Sequence, residues 1–536
     1  MHSLNDPTKR FATLRNCIGC FDELCKFLQT TRNFSRGNFM LFLGIDVGTG
    51  GTRAVLINEA GKVVASHAAD HAPFQSAFPG WAEQDPEDWW RAAQQSIRAV
   101  LAAAACKPGG IAAIGLTGQM HGAVLLDTEG KVLRPSLIWC DTRSAPQCDW
   151  LHATLGRERV IELTCNPALP NFTLTKILWV REHEPQVFAR IAHILCPKDY
   201  VRLRLSGVYA MDVQEASGTL LLDVTHRRWS QPMAEASGVP LQWLPQLFES
   251  ADICATLSQS AAAATGLVAG TPIVAGAGDQ GAGAVGMGIL KPGSVSATIG
   301  TSGVVFAATD QPVRDSLGRL HTFCHAVAGR WHVMGVTQAA GLSLRWFRDV
   351  VSAGVQGEPA SYEQLMTVAA DAPAGSAGVF WAPYLFGERT PHLDPEVRAA
   401  FVGLTASHRQ PHLVRAVLEG VAYSLRDTFT LFAELGIPVR GVRLGGGGAR
   451  GPLWRQIQSD IYGRPVELLV AEEGGAYGAA LLAGVGAGAW PDVDTACESS
   501  IRVAETIQPD LVAREVYEHG YQTYRKLYPA LATLRS

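Results

Sequence analysis

The 536-residue sequence has no apolar run approaching the ~18–20 residues that a helix needs to cross a bilayer. Its most apolar stretches, 100–106 and 479–490, are short and rich in Ala or Gly, and read as packed helices. Neither sign of charge is in excess: 45 Lys and Arg stand against 49 Asp and Glu, a formal net charge of −4. That excludes the electrostatic footprint of a nucleic-acid or anionic-membrane binder. No basic segment followed by an apolar one opens the chain, so no secretory leader is visible. The eleven cysteines fall at unrelated spacings, which gives no disulfide framework and predicts reduced thiols in a cytoplasm. Cys17, Cys20 and Cys25 cluster but lack a nearby fourth ligand, which argues against zinc. The phosphate loop G-x-x-x-x-G-K-[ST] and the H-R-D catalytic loop are both absent.

What is present is the composition of a large folded protein, 47% hydrophobic with 13 Trp, which excludes disorder. The length predicts two large domains or three smaller ones. Residues 1–39 are polar and irregular, and regular patterning starts at Met40. The expectation is therefore an extension over 1–39, not necessarily native, with Met40 as the natural start. From there the pattern reads as a strand (41–45), a Gly-rich turn, a strand (53–57), a turn at 58–61 and a third strand (63–66), a hairpin meander. A helix (86–105) and two strands (111–116, 123–127) follow. Residues 150–265 mix helices and loops. A second block opens at Thr271 with a strand (272–275), a Gly-rich turn into a helix, and strands 294–298 and 304–308. Gly48-Thr49 and Gly300-Thr301 each sit between two strands, so the second block echoes the first and suggests a duplicated core. A long amphipathic helix (412–435), a strand (441–444) and Gly445–Gly448 complete an α/β, two-lobed architecture.

Three segments carry chemistry. In Asp46-Val47-Gly48-Thr49-Gly50-Gly51-Thr52 the glycines let backbone N–H groups approach a phosphate. A carboxylate there repels phosphate unless a divalent cation intervenes, so Asp46 points to a metal–nucleotide complex; a tight hairpin with a capping Asp is the plainer alternative. The echo at Gly300-Thr301 favours phosphate, because two facing Gly-Thr turns can hold one polyphosphate from both lobes. Gly276-Ala277-Gly278-Asp279-Gln280-Gly281 fits the dinucleotide fingerprint G-x-G-x-x-G. Asp279, however, would face the pyrophosphate, and no acidic residue follows at about 20 positions. Asp279 reads instead as a general base at a helix start, or as an ordinary N-cap. Gly118-Gln119-Met120-His121-Gly122, between two strands, suits a hydroxyl-rich ligand or a structural imidazole.

Together these residues resemble the FGGY family of carbohydrate kinases, in the acetate and sugar kinase/Hsp70/actin superfamily, from Met40 to the end. The most specific piece is the family's C-terminal signature, here Ala399-Ala400-Phe401-Val402-Gly403-Leu404, then His412-Leu413 and Ala416-Val417-Leu418-Glu419. Lys176-Ile177-Leu178-Trp179 and the run Tyr384–Pro391 (YLFGERTP) are also typical. Gly118–Gly122, Trp81–Pro86 and Cys196–Tyr200 are similar to the branch of the family that phosphorylates D-xylulose.

The resemblance implies a duplicated ribonuclease H-like, actin-like ATPase fold. It implies an N-terminal lobe over 40–286 that binds sugar and phosphate, and a C-terminal lobe over 287–536 that binds nucleotide. The implied activity is ATP-dependent phosphorylation of D-xylulose to D-xylulose 5-phosphate. Asp279 is the implied base. Asp46 organises Mg²⁺ through water, with Asp279 beside it. Gln119, Met120, His121 and Gln280 join Asp279 at the sugar. Thr49, Gly50, Gly300, Thr301, Gly341, Arg345, Gly447 and Gly448 match the nucleotide and phosphate positions. The expected ligands are a sugar, ATP and Mg²⁺, with no nucleic acid and no membrane, and a homodimer is the assembly to test. Two features depart from the family: Gln280 stands where Asn is usual, and the loop Thr164–Phe172 follows no expected pattern. Both bear on the sugar, for which ribulose, L-xylulose and gluconate are the alternatives. A sugar-independent ATPase of Hsp70 or actin type is the rival from another class.

Overall fold

A computed structural model describes residues 40–105, 108–352, 360–470 and 474–534. The expectations for residues 1–39, including the Cys17, Cys20 and Cys25 cluster, lie outside the described residues.

The first lobe is built on the meander. Strands β1 (Leu41–Val47), β2 (Gly51–Asn58) and β3 (Val63–Asp70) pair antiparallel in sequence. β1 is an almost unbroken apolar run with both faces covered, as a central strand requires. β4 (Ile111–Gly118) lies parallel to β1, and β6 (Pro272–Val274) parallel to β4. β5 (Ile253–Thr256) pairs antiparallel to β6 and closes the order β5-β6-β4-β1-β2-β3. Helix α1 (Pro86–Ala103) starts where Asp85 caps Glu87 N–H and Pro86 occupies the first turn; it packs on β2 and β3.

The second lobe repeats the plan. β7 (Gly293–Ile299), β8 (Gly303–Thr309), β9 (His321–Cys324), β10 (Trp331–Thr337), β11 (Val439–Gly446), β12 (Val466–Leu469) and β13 (Val503–Ile507) form a sheet in the order β9-β10-β8-β7-β11-β12-β13. β11 runs parallel to β7, and β7, β8 and β10 pair antiparallel. The run β11-β7-β8-β10 thus repeats β4-β1-β2-β3 in order and sense, and the duplication expected from the two Gly-Thr turns is present.

Six helices position the site. The short α2 (Val213–Ser217) and α3 (Asp279–Gly286) belong to the first half of the chain. α4 (Gly341–Ser352), α5 (Tyr362–Ala370), α6 (Gln410–Glu434) and α7 (Pro452–Tyr462) pack around the second sheet. A further helix, α8 (Gly474–Gly486), comes late in the chain yet lies against β1, β4 and α3 of the first lobe. Its glycines and alanines make that approach possible. A Cβ at Gly478 would stand 1.8 Å from the Ala282 carbonyl oxygen, and one at Gly44 would stand 1.9 Å from that of Ala476. Among the described residues no helix is long and apolar enough to cross a membrane. Cys140, Cys148, Cys165, Cys196, Cys254, Cys324 and Cys497 are free thiols.

Candidate active site

The carboxyl ends of β1 and β4, together with the turn after β6, converge on one end of the first sheet. Asp46 is level with Thr117 in the β1–β4 register. Gly276 has φ +74°, and a Cβ there would meet the Leu116 carbonyl oxygen at 1.9 Å. Only glycine lets the 276–279 turn dock on β4 in this way. Ala277 N–H donates to the Leu116 carbonyl (3.1 Å), and Gly278 N–H to Gln214 Oε1 of α2 (2.6 Å). Asp279 is therefore delivered half-buried to the first position of α3.

Asp46 and Asp279 form an electrostatic pair. Burial, joined by the Asp46 charge and opposed by the Gln280 donors, raises the Asp279 carboxyl to about 7. Burial raises Asp46 to about 6 against the pull of Arg53. Asp46 Oδ1 is buried with no hydrogen-bond partner. Two carboxylates short of positive charge, one with an orphaned oxygen, make a donor set for a hard divalent cation. Among the described residues no group of three or more ligating side chains occurs, so a cation here must draw the rest of its shell from water and from its substrate.

The residues expected at the sugar behave differently from one another. Met120 lies against Gly278, where a Cβ would approach its Cγ to 2.5 Å. His121 has φ +68°, and its carbonyl is held by Thr173 Oγ1 (3.2 Å) and Lys176 Nζ (3.3 Å). His121 Nδ1 lies 2.7 Å from the Gly218 carbonyl, which can only accept, so Nδ1 carries the proton. Burial, opposed by that bond and joined by the Lys176 and Arg389 charges, pushes the ring's pKa down to about 3. Nε2 is then a neutral acceptor. Gln119 is already committed to the protein: its Nε2 donates to Gln84 Oε1 (2.8 Å) and to the Gly48 carbonyl (3.3 Å).

The Thr49 hydroxyl accepts from Trp139 Nε1 (2.9 Å) and its carbonyl from Gln84 Nε2 (2.7 Å). These bonds brace the turn, leaving Gly50 exposed at its tip. In the second lobe, the Gly300 and Thr301 carbonyls accept from Gly341 N–H (2.8 Å) and Leu342 N–H (3.1 Å) at the start of α4. Gly300, Thr301, Gly341, Arg345, Gly447 and Gly448 come together on the wall of one cavity of about 530 Å³, which Tyr362, Met366, Arg450 and Trp454 complete. Thr49 and Gly50 are not part of that wall. Trp139, Gln84 and Gln214 were not singled out in the sequence. Gln84 sits inside a segment noted only for its resemblance, and the other two carry no local signal.

The profile of the FGGY family of carbohydrate kinases, N-terminal domain, matches residues 41–286, and that of its C-terminal domain matches 295–487. The chain belongs to the FGGY family of carbohydrate kinases. It is 39% identical to the xylulose kinase of Escherichia coli, over 92% of this chain and 100% of that one. It is 38% identical to the xylulose kinase of Bacillus subtilis, over 91% and 96% of the two chains. The solved structure of a xylulose kinase from Rhodospirillum rubrum superposes with a TM-score of 0.85 at 31% identity, over 92% of this chain and 99% of that one. The actin-like two-lobed fold expected from the resemblance is that of the FGGY kinases.

Proposed function

We propose that this FGGY kinase transfers the γ-phosphoryl group of ATP to the terminal hydroxyl of D-xylulose, giving D-xylulose 5-phosphate and ADP. Its similarity over nine-tenths of its length to curated xylulose kinases supports the sugar. The observation that carries the chemistry is Asp279, a half-buried carboxylate raised to about 7 at the head of α3, between the Met120–His121 segment and the Asp46 carboxylate.

In the reaction Asp279 takes the proton of the 5-hydroxyl as that oxygen attacks the γ-phosphorus. The new O–P bond forms as the bond to the β-phosphate oxygen breaks, and the negative charge leaves on ADP. Such transfer is loose and needs positioning more than covalent help. Met120 supplies an apolar wall and His121 Nε2 accepts from a sugar hydroxyl. Gln280, whose amide reaches the Asp279 carboxylate, orients the base. Gly300, Thr301, Gly341, Arg345, Gly447 and Gly448 hold the nucleotide, and Gly50 N–H faces the phosphates from the other lobe. Asp46 and Asp279 are the residues that would hold Mg²⁺, Asp46 through water. The ion would neutralise charge developing on the phosphates.

Sugar-dependent ADP release tests this reading, with D-xylulose, D-ribulose, L-xylulose, L-ribulose, glycerol and gluconate side by side. D-xylulose is expected to give the highest kcat/KM by at least about tenfold, the order a small-group difference in a pocket supplies. Preference for another sugar would keep the kinase and move the specificity argument to Gln280 and the Thr164–Phe172 loop. Slow release indifferent to every sugar would overturn the assignment.

A further inference from the structure

The run Tyr384–Pro391 is one of the sequence's most distinctive segments, yet the chemistry above uses none of it. Its backbone is pinned to the second sheet. Thr390 N–H donates to the Val336 carbonyl (3.0 Å), and Thr390 Oγ1 donates to the Arg319 carbonyl (2.9 Å) and accepts from Val336 N–H (3.0 Å). Glu388 is buried and turned inward, where Oε1 accepts from Gln338 N–H (2.9 Å) and Arg389 N–H (2.8 Å). These contacts fix the Arg389 backbone beside the end of β10, whose Met334 is paired with His321 on β9. From His321 an aromatic path leads to the sugar side: His321 to Phe172 with ring centroids 5.6 Å apart, then Phe172 to His121 at 5.1 Å.

The Arg389 side chain is anomalous in this setting. It is half-buried, and among the described residues its guanidinium makes no hydrogen bond, ion pair or ring contact, the acting opposite charge being that of adjacent Glu388. Its charge reaches His121 and His321, whose rings burial chiefly holds neutral. The charges and donors acting on Asp279 come instead from Asp46 and Gln280. A guanidinium has five donors and no way of shedding its charge; the Arg389 nitrogens are not among the buried unpartnered atoms, so they open to the cleft, where a ligand's oxygens can take the place of water.

We propose that Arg389, carried on the second lobe beside the strand pair that bears His321, is a substrate-binding residue that grips the oxygens at the end of the sugar remote from the phosphorylated hydroxyl. The inference rests on the sugar-kinase reading and adds a contact from the opposite lobe. Arg389 then meets the sugar from the second lobe, while Met120 and His121 meet it from the first. Its fork can donate to two neighbouring oxygens of a ketose, the carbonyl and an adjacent hydroxyl.

Steady-state kinetics and thermal unfolding of the full chain and its Arg389→Met, Arg389→Lys and Arg389→Ala variants test the proposal. Expected for Arg389→Met is a 10- to 100-fold rise in the D-xylulose KM, an ATP KM within about twofold of wild type, and an unchanged Tm. Arg389→Lys should recover only part of the loss, because it restores the charge without the fork. Millimolar methylguanidinium should lower the sugar KM of Arg389→Ala and leave wild type unaffected. An unchanged sugar KM in Arg389→Met overturns the inference. So does a rise in both KM values with a lower Tm, which would mark a purely structural side chain, and so does a rise in the ATP KM alone, which would assign Arg389 to phosphate. Wild type that turns over no sugar overturns the function and this inference together. Wild type that prefers a different sugar leaves the comparison to be read on that sugar, with the same outcomes.

Discussion

At the residue scale the site turns on one carboxylate held in an unfavourable place. Burial and the neighbouring Asp46 raise Asp279 to about 7 from an ordinary 3.8, so the native state binds its proton more tightly than the unfolded chain does. The sign follows from linkage: stability associated with this group is fully present below about pH 4 and is lost as pH rises to about 7. Asp279→Asn removes the buried charge. It should raise Tm by roughly 1–3 °C at pH 8 without Mg²⁺ or nucleotide, with the gain shrinking as pH falls towards 4. The same variant should lose about 10²–10⁴-fold in kcat, the range that a positioned base supplies, while retaining ATP binding by calorimetry. Near-normal turnover would remove Asp279 from the mechanism. The position of Asp279 was legible in the sequence, because a Gly-lined turn with an acid after it marks a helix start, and the helix does begin there. Gln119 was legible as polar at a strand end, but nothing in its local pattern revealed that its amide is taken by Gln84, 35 positions away. Arg389 lay in a segment noted for resemblance alone, and its lack of a partner is visible only once the lobes are assembled.

At the element scale, the strands of both meanders lie where the apolar periodicity put them, and the duplication follows from two Gly-Thr turns flanked by alike runs. Helix α8 shows the limit. The stretch 479–490 read as a packed helix, but a helix apolar on all sides carries no stripe to say what it packs against. It lies on the first sheet, and its contact with α3 is so close that Gly478 has the Ala282 carbonyl where a Cβ would stand, at 1.8 Å. Gly478→Ala must push α8 and α3 apart. The expected destabilisation is about 1–3 kcal/mol, read as a lower denaturation midpoint. Because α3 carries Asp279, kcat at 20 °C should fall by at least about tenfold in protein that is still folded, since displacements of about 1 Å at a reacting group are costly. Gly283→Ala, on the same α3 but with nothing within 4 Å of the new Cβ, is the control. It should keep full activity and gain up to about 1 kcal/mol from helix propensity. Equal behaviour of the two variants would show that α3 is not held by this contact. The family signature around Ala400 and Glu419 likewise proves to be scaffold. Glu419 is buried on α6 and accepts from Gly375 N–H (3.0 Å), Ser376 Oγ (2.8 Å), Arg415 Nε (2.9 Å) and Tyr517 OH (2.8 Å).

At the scale of the whole molecule the two substrates depend on the lobes differently. Every residue on the wall of the large cavity falls between Ile299 and Trp454, so on the proposed reading nucleotide binds the second lobe without help from the first. The proposed sugar side draws on Met120, His121 and Phe172 from the first lobe, and its loop is tied to the second by Asn166. That buried amide pairs with the backbone of β9 as a strand would: Nδ2 donates to the Thr322 carbonyl (2.8 Å) and Oδ1 accepts from Thr322 N–H (3.2 Å). Asn166 Nδ2 also donates to the Thr164 carbonyl (2.8 Å), so one side chain fixes the odd loop of the first lobe to the strand bearing His321. Asn166→Ala should leave the Thr322 groups unpaired in the interior, at about 2–3 kcal/mol, and lower Tm by a few degrees. Because Phe172, at the far end of the same loop, packs on His121, the loss should reach the sugar: a 5- to 20-fold rise in the D-xylulose KM is expected. The ATP dissociation constant, measured by calorimetry without sugar, should stay within twofold. If both affinities fall together, the nucleotide cavity is not independent of the first lobe; if neither changes, the Asn166 tie does not position the sugar side.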